Sequence, residues 1–143
     1  MATTQYAQRN PFKTLTEHNG KIGIGTERPD ELLTVKGKIH TQEVLVDLMG
    51  AVAPDYVFES YYEGQSPENR TYTLLTLSQL EQFVKTHHHL PKVPSAAALA
   101  KDGLSLKQMN MLLLEKIEEL TLYTLQQQKE IDELNEKLSQ LDN

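Results

Sequence analysis

The longest regular pattern in the chain is a seven-residue repeat in its last third. With Ile117 as position a, the a positions are Asn110, Ile117, Thr124, Ile131 and Leu138, and the d positions are Leu113, Leu120, Gln127, Leu134 and Leu141. Seven of these ten residues are Ile or Leu. Apolar side chains that recur about every 3.5 residues form one stripe on a helix, and such helices wind around one another to bury it. No Gly or Pro follows Ser105. The pattern therefore predicts one helix of about 37 residues, ~55 Å long at ~1.5 Å per residue. Ser105 is its expected N-cap, with Gln108 three residues on and Leu104 placed to staple onto Met109.

The two halves of this helix differ. In the last two heptads every position other than a and d is polar or charged, as in a free-standing stalk. In the first half Met111, Leu112, Leu114, Leu122, Tyr123 and Leu125 add apolar surface outside the stripe. A helix apolar on several sides needs cover on several sides. A short helix expected over residues 76–88 offers it, with Leu77, Leu80, Phe83 and Val84 on one face and a capping box from Thr76 with Gln79 or Ser78 with Glu81. Pro91 and Pro94 then enforce an extended turn, which is expected to pack around the upper helix as well. Ser95 caps a brief helix through Ala100, and Gly103 suits its exit.

Toward the N-terminus the period shortens to two. Residues 21–26 alternate Ile with Gly, residues 27–30 form a turn, Leu33-Thr34-Val35 alternates again, and Val44, Val46 and Leu48 share one face. Glycine in a strand marks close approach of another backbone, supplied either by a bulge within one chain or by chains meeting at an axis. Residues 53–58 read as an extended apolar piece after Pro54, and residues 63–69 as a loop. Residues 1–19 are polar and read as an attachment arm or an unstructured tail. The domains expected are thus 1–19, an arm; 20–48, a β-rich segment; 49–104, a small mixed domain with short helices; and 105–143, a coiled-coil helix.

Composition narrows the classes of function. Hydrophobic residues make up 38% of the chain, with three Phe, six Tyr and no Trp, so one copy offers a poor core and stability is expected from association. The net charge of −6 and the absence of any Lys/Arg cluster argue against wrapping nucleic acid or binding anionic membranes. Zero Cys excludes disulfides and thiolate metal sites. The first residues lack the apolar core of a secretory signal, and no run is long enough to span a bilayer.

No catalytic constellation, cofactor site or metal site is expected. The triplet His87-His88-His89 contains metal-ligating side chains, but adjacent residues point apart, and a helix C-terminus favours His through its dipole. Ser95 with Lys92 or Lys101 is better read as a helix cap than as a Ser–Lys pair. Gly23-x-Gly25 lacks the third Gly and the following helix of a dinucleotide site. The residues expected to act are those of the stripe: Leu113, Ile117, Leu120, Thr124, Gln127, Ile131, Leu134, Leu138 and Leu141. Thr124 and Gln127 make a polar layer that sets register and oligomer number or holds an ion or water on the axis. Lys137 at g facing Asp142 at a neighbour's e supports parallel chains. Ile at a with Leu at d leans toward a dimer.

Several of these segments resemble a known family. Gly23-Ile24-Gly25-Thr26-x-x-Pro29-x-x-x-Leu33-x-Val35-x-Gly37-x-Ile39 resembles a segment common in tail-fibre proteins of bacteriophages and contractile injection systems. Pro54-Asp55-Tyr56-Val57-Phe58, Leu77-x-x-Leu80-x-x-Phe83-Val84, His89-Leu90-Pro91-x-Val93-Pro94-Ser95 and the run from Met109 to Tyr123 look like one type found in Bacteroidetes-like genomes. The resemblance covers about residues 20–125. It implies an α+β homotrimeric fibre or tip, with thin intertwined β-segments, a small helical region and a parallel C-terminal coiled coil. It also implies a virion or extracellular particle as the location, a baseplate or longer fibre as partner of residues 1–19, and a cell-surface receptor as target. The C-terminal helices are distantly similar to the endosialidase-type intramolecular chaperone, whose self-cleaving Ser is matched here by residues 53–57, which hold no such nucleophile. A rival reading is a trimeric adhesin or glycan-binding module, with Tyr56, Tyr61, Tyr62 and Tyr72 stacking on sugars. Self-cleavage is a third.

Overall fold

The computed structural model describes residues 13–141. The chain divides into two compact units, residues 1–45 and 46–143, and the described residues hold a three-stranded sheet and four helices. Among the described residues no helix is long and apolar enough to cross a membrane.

The first unit is built on strands β1 (Leu15–His18), β2 (Lys21–Ile24) and β3 (Leu33–Val35), in that order across one sheet. Antiparallel β1 and β2 are joined by Asn19-Gly20, whose φ angles of 52° and 75° are both left-handed. Two residues in that conformation give a turn whose twist matches the strands, and Asn-Gly is the pair best suited to it. Residues 15–18, expected as the end of a polar arm, are therefore a strand. Residues 1–12 of that arm lie outside the described residues.

Strand β3 runs parallel to β2, with Ile22 opposite Leu33. Parallel neighbours usually need a connection of about a dozen residues or more. Residues 25–32 suffice because the loop is pinned. Thr34 Oγ1 donates to Asp30 Oδ1 at 2.7 Å and accepts from the N–H groups of Asp30 and Glu31, each at 3.1 Å. The loop folds back so tightly that a Cβ on Gly23 would lie 2.4 Å from the Thr26 carbonyl oxygen. The close approach that these glycines signal thus occurs within one chain. The pairing puts Leu15, Ile22, Ile24, Leu33 and Val35 on one face of the sheet, and all but Val35 are exposed. The strand expected at Val44–Leu48 does not form. Val44, Val46 and Leu48 are all exposed, and among the described residues none of them is part of a strand.

The second unit contains α1 (Tyr56–Glu63), α2 (Leu77–His87), α3 (Ala96–Asp102) and α4 (Leu106–Leu141). Helix α1 corrects the extended reading of residues 53–58. The chain enters it through Pro54, whose carbonyl accepts from Val57 N at 2.8 Å, and leaves through Gly64 at φ 88°. Helix α2 starts at a capping box in which Thr76, rather than Ser78, is the cap and Gln79 its reciprocal partner. Ser95 caps α3 through Ala98 N, and Gly103 ends it. Ser105 Oγ accepts from Gln108 N at 3.4 Å, and α4 then runs 36 residues, ~54 Å at ~1.5 Å per residue.

Candidate functional site: an open apolar stripe

Helix α4 has two faces with opposite fates. Its back, formed by Glu115, Glu118 and Leu122 at spacings of three and four, is buried together with the neighbouring Tyr123. Helix α1 packs on this side, and Val57 of α1 and Leu122 of α4 are both wholly inaccessible. The sequence pattern predicts cover from the short helix at residues 76–88 and from the Pro91–Pro94 turn; α1 is the helix that packs on the back.

Two carboxylates on a buried face require partners. Glu115, 2% exposed, accepts from Tyr56 Oη, from Lys92 Nζ at 2.9 and 3.0 Å and from Lys116 Nζ at 2.9 Å. Lys116 also bridges both oxygens of Glu119 at 2.9 Å, and Tyr72 Oη donates to Glu119 at 3.3 Å. Tyr123 Oη donates to the Leu75 carbonyl at 2.7 Å. Burial alone would raise the Glu115 pKa. The hydrogen bonds from Tyr56, Lys116 and Lys92, with the Lys116 charge, outweigh it and hold the carboxyl below its ordinary value. Tyr56 and Tyr72 are pushed well above the usual phenol range, by burial first and then by Glu115 and Glu119 respectively. Glu118 is the contrast: its Oε2 is buried without a hydrogen-bond partner, and burial, then the Asp55 and Glu115 charges, raise its pKa.

The front of α4 is the heptad stripe, and it is bare. Leu113, Ile117 and Leu120 are 45%, 59% and 63% exposed, and Ile131, Leu134, Leu138 and Leu141 at least as open as half. Thr124 and Gln127 lie on the same open side. Thr124 Oγ1 donates to the Leu120 carbonyl at 2.9 Å, so its hydroxyl needs no partner from another chain. All nine residues expected to act therefore share one uncovered ridge. Asp142, invoked in the parallel-pairing argument, lies outside the described residues.

Beside the upper ridge runs a groove of about 330 Å³, walled by Leu80 and Leu90 on one side and by Leu113, Ile117, Leu120 and Tyr123 of α4 on the other, with Lys116 and Glu119 also in its lining. Residues 75–92 lie antiparallel to α4, since Leu75 meets Tyr123 while Lys92 meets Glu115.

The other candidates take structural places. The His87 ring stacks on Phe83 at 4.1 Å between centroids and its Nδ1 lies 3.0 Å from the Phe83 carbonyl oxygen; His88 is the left-handed C-cap of α2; His89 Nδ1 lies 3.0 Å from its neighbour's carbonyl oxygen. Among the described residues no group of three or more His, Cys, Asp or Glu side chains is placed to hold a metal ion. Ser95 Oγ is occupied by its capping bond from Ala98 N. Of the tyrosines considered for sugar stacking, Tyr56 and Tyr72 are turned inward onto the carboxylates, and Tyr61 and Tyr62 remain exposed as an edge-to-face pair at 4.9 Å. Comparison of the chain with family models, with curated proteins and with solved structures finds no match.

Proposed function

We propose that this chain is a structural, non-enzymatic fibre component that associates with copies of itself through the front of α4. The observation that carries the reading is the inversion of α4: its most apolar face is the open one, while the face that the chain buries holds two glutamates. A helix serving only its own domain would turn its Leu/Ile stripe inward. Beyond Gln127, moreover, no described residue covers α4 on any side. A solitary helical extension of that length is marginal in water, and burial of Ile131, Leu134, Leu138 and Leu141 between parallel copies would stabilise it.

The homotrimer, with the dimer as its alternative, and a place in a phage tail or injection-system fibre rest on the sequence resemblance described above. On that reading residues 1–19 join a baseplate or longer fibre, and the particle meets a cell-surface receptor. The adhesin alternative retains only Tyr61 and Tyr62 as an exposed aromatic pair, and a glycan-array screen separates it from a purely structural role. The association itself is tested by the double variant Ile117→Asp/Leu120→Asp, which puts two carboxylates per chain into the stripe. Multi-angle light scattering should report a single chain for the variant and an oligomer for the parent. A variant that keeps the parent's mass would remove the stripe from the interface.

A further inference from the structure

The groove beside the stripe extends the proposed interface beyond a simple helix seam. We infer that it seats the α4 of an adjacent copy, so that Leu90 of one chain packs against Leu114 of the next. This rests on the self-association reading and specifies its geometry.

Four observations lead there. First, groove and stripe are one surface, because Leu113, Ile117 and Leu120 belong to both. Any helix that covers the stripe between these residues also lies along the groove. Second, the groove sits on the g side of the stripe, marked by Lys116 and Tyr123. In parallel coils the g side of one helix faces the e side of its neighbour, and Leu114 is the apolar e residue, 38% exposed on its own chain. Third, Leu90 precedes Lys92, which bonds Glu115, in the segment antiparallel to α4, and it shares the groove with Leu113, Lys116 and Ile117, so in register it stands within about one helical turn of a neighbour's Leu114. Fourth, the charges fit a second copy. The g–e′ pairs within the described residues are Met109–Leu114, Lys116–Thr121, Tyr123–Gln128 and Glu130–Asn135, and none sets like charges together. Lys116 and Glu119, in the lining, already neutralise each other within one chain, so their burial by a neighbour strands no charge. The inference also gives Leu114, which lies outside the a and d positions, a reason to be apolar.

The chain contains no cysteine, which makes cross-linking direct. Two single-cysteine variants, Leu90→Cys and Leu114→Cys, are mixed unfolded, refolded together and oxidised mildly. A disulfide needs Cβ atoms about 4 Å apart, so the expected chief product is the mixed 90–114 dimer, ahead of 90–90 and 114–114. Ile117→Cys, linking to itself across the stripe, serves as control. Efficient 117–117 linkage without 90–114 linkage would overturn the groove and leave the stripe standing. A single-chain mass with no linkage at all would overturn both. A second variant, Leu90→Glu, should move the dissociation midpoint to at least about tenfold higher protein concentration; an unchanged midpoint speaks against the groove.

Discussion

The back and the front of α4 between Glu115 and Tyr123 have opposite chemistry and opposite exposure. The back is rich in charge, yet it is sealed by α1, and Glu115 and Glu119, though not Glu118, are satisfied by tyrosines and lysines from residues 56, 72, 92 and 116. The front is aliphatic, yet among the described residues nothing covers it. Ordinary burial energetics would reverse this arrangement, since apolar surface is worth about 25 cal/mol per Å² removed from water and a buried carboxylate is costly. The contrast suggests a division of labour. The charged network locks α1 and the Tyr72 loop to one side of α4 in a single geometry, and the aliphatic ridge is thereby held open on the other.

The largest break in this contrast is the double aspartate variant at Ile117 and Leu120, expected to abolish association. Next is Glu115→Ala, which leaves Tyr56 and Lys92 without their acceptor. It should cost about 2–4 kcal/mol in denaturant unfolding, while the front stripe keeps its residues; a loss within about 0.5 kcal/mol would mean that the network does not hold the back. Replacing the polar layer, Thr124→Ile with Gln127→Leu, should raise the midpoint of thermal dissociation by the equivalent of about 1–2 kcal/mol per chain. It should also broaden the distribution of masses if the layer sets oligomer number; a lower midpoint contradicts the seam.

The smallest effect sharpens the back. Glu118→Gln should stabilise the fold by about 1 kcal/mol at neutral pH, because it removes a charge buried without a partner. Its pH dependence has a definite sign. Glu118 has its folded pKa raised, so its contribution is fully present below the unfolded value near 4.5 and is lost as pH rises through the folded pKa. The advantage of the Gln variant should therefore shrink on acidification. Glu115 has its folded pKa lowered, so its contribution is present above about 4.5 and disappears as pH falls through the folded pKa. The stability difference from the parent, followed across this range, should therefore slope in opposite senses for the two single variants.

The sequence disclosed those elements whose signals are local. The Thr76 capping box, the Ser95 cap, Gly103 and the helix from Leu106 were all legible from a few neighbouring residues. Helix α1 was not, because Tyr56, Val57 and Phe58 favour strands, and Asp55, its N-cap, makes no side-chain bond there. The first hairpin was obscured by polar flanks, although Asn19-Gly20 carried the turn signal. The stripe was visible as a pattern; its residues are exposed, and so are Leu114, Thr121 and Leu125 beside it. The back face was hidden for a physical reason. Glutamates on a helix usually face water, and only the arrival of Tyr56 and Lys92, from 59 and 23 positions away in sequence, makes burial of Glu115 tolerable.

The account depends on copies of one chain hiding a ridge that a solitary copy leaves wet. Native mass spectrometry of the parent protein across a dilution series reads this directly. The predicted result is a particle of three, or else two, 16.3 kDa chains that persists into the low micromolar range. A well-folded particle of one chain at every concentration would contradict it.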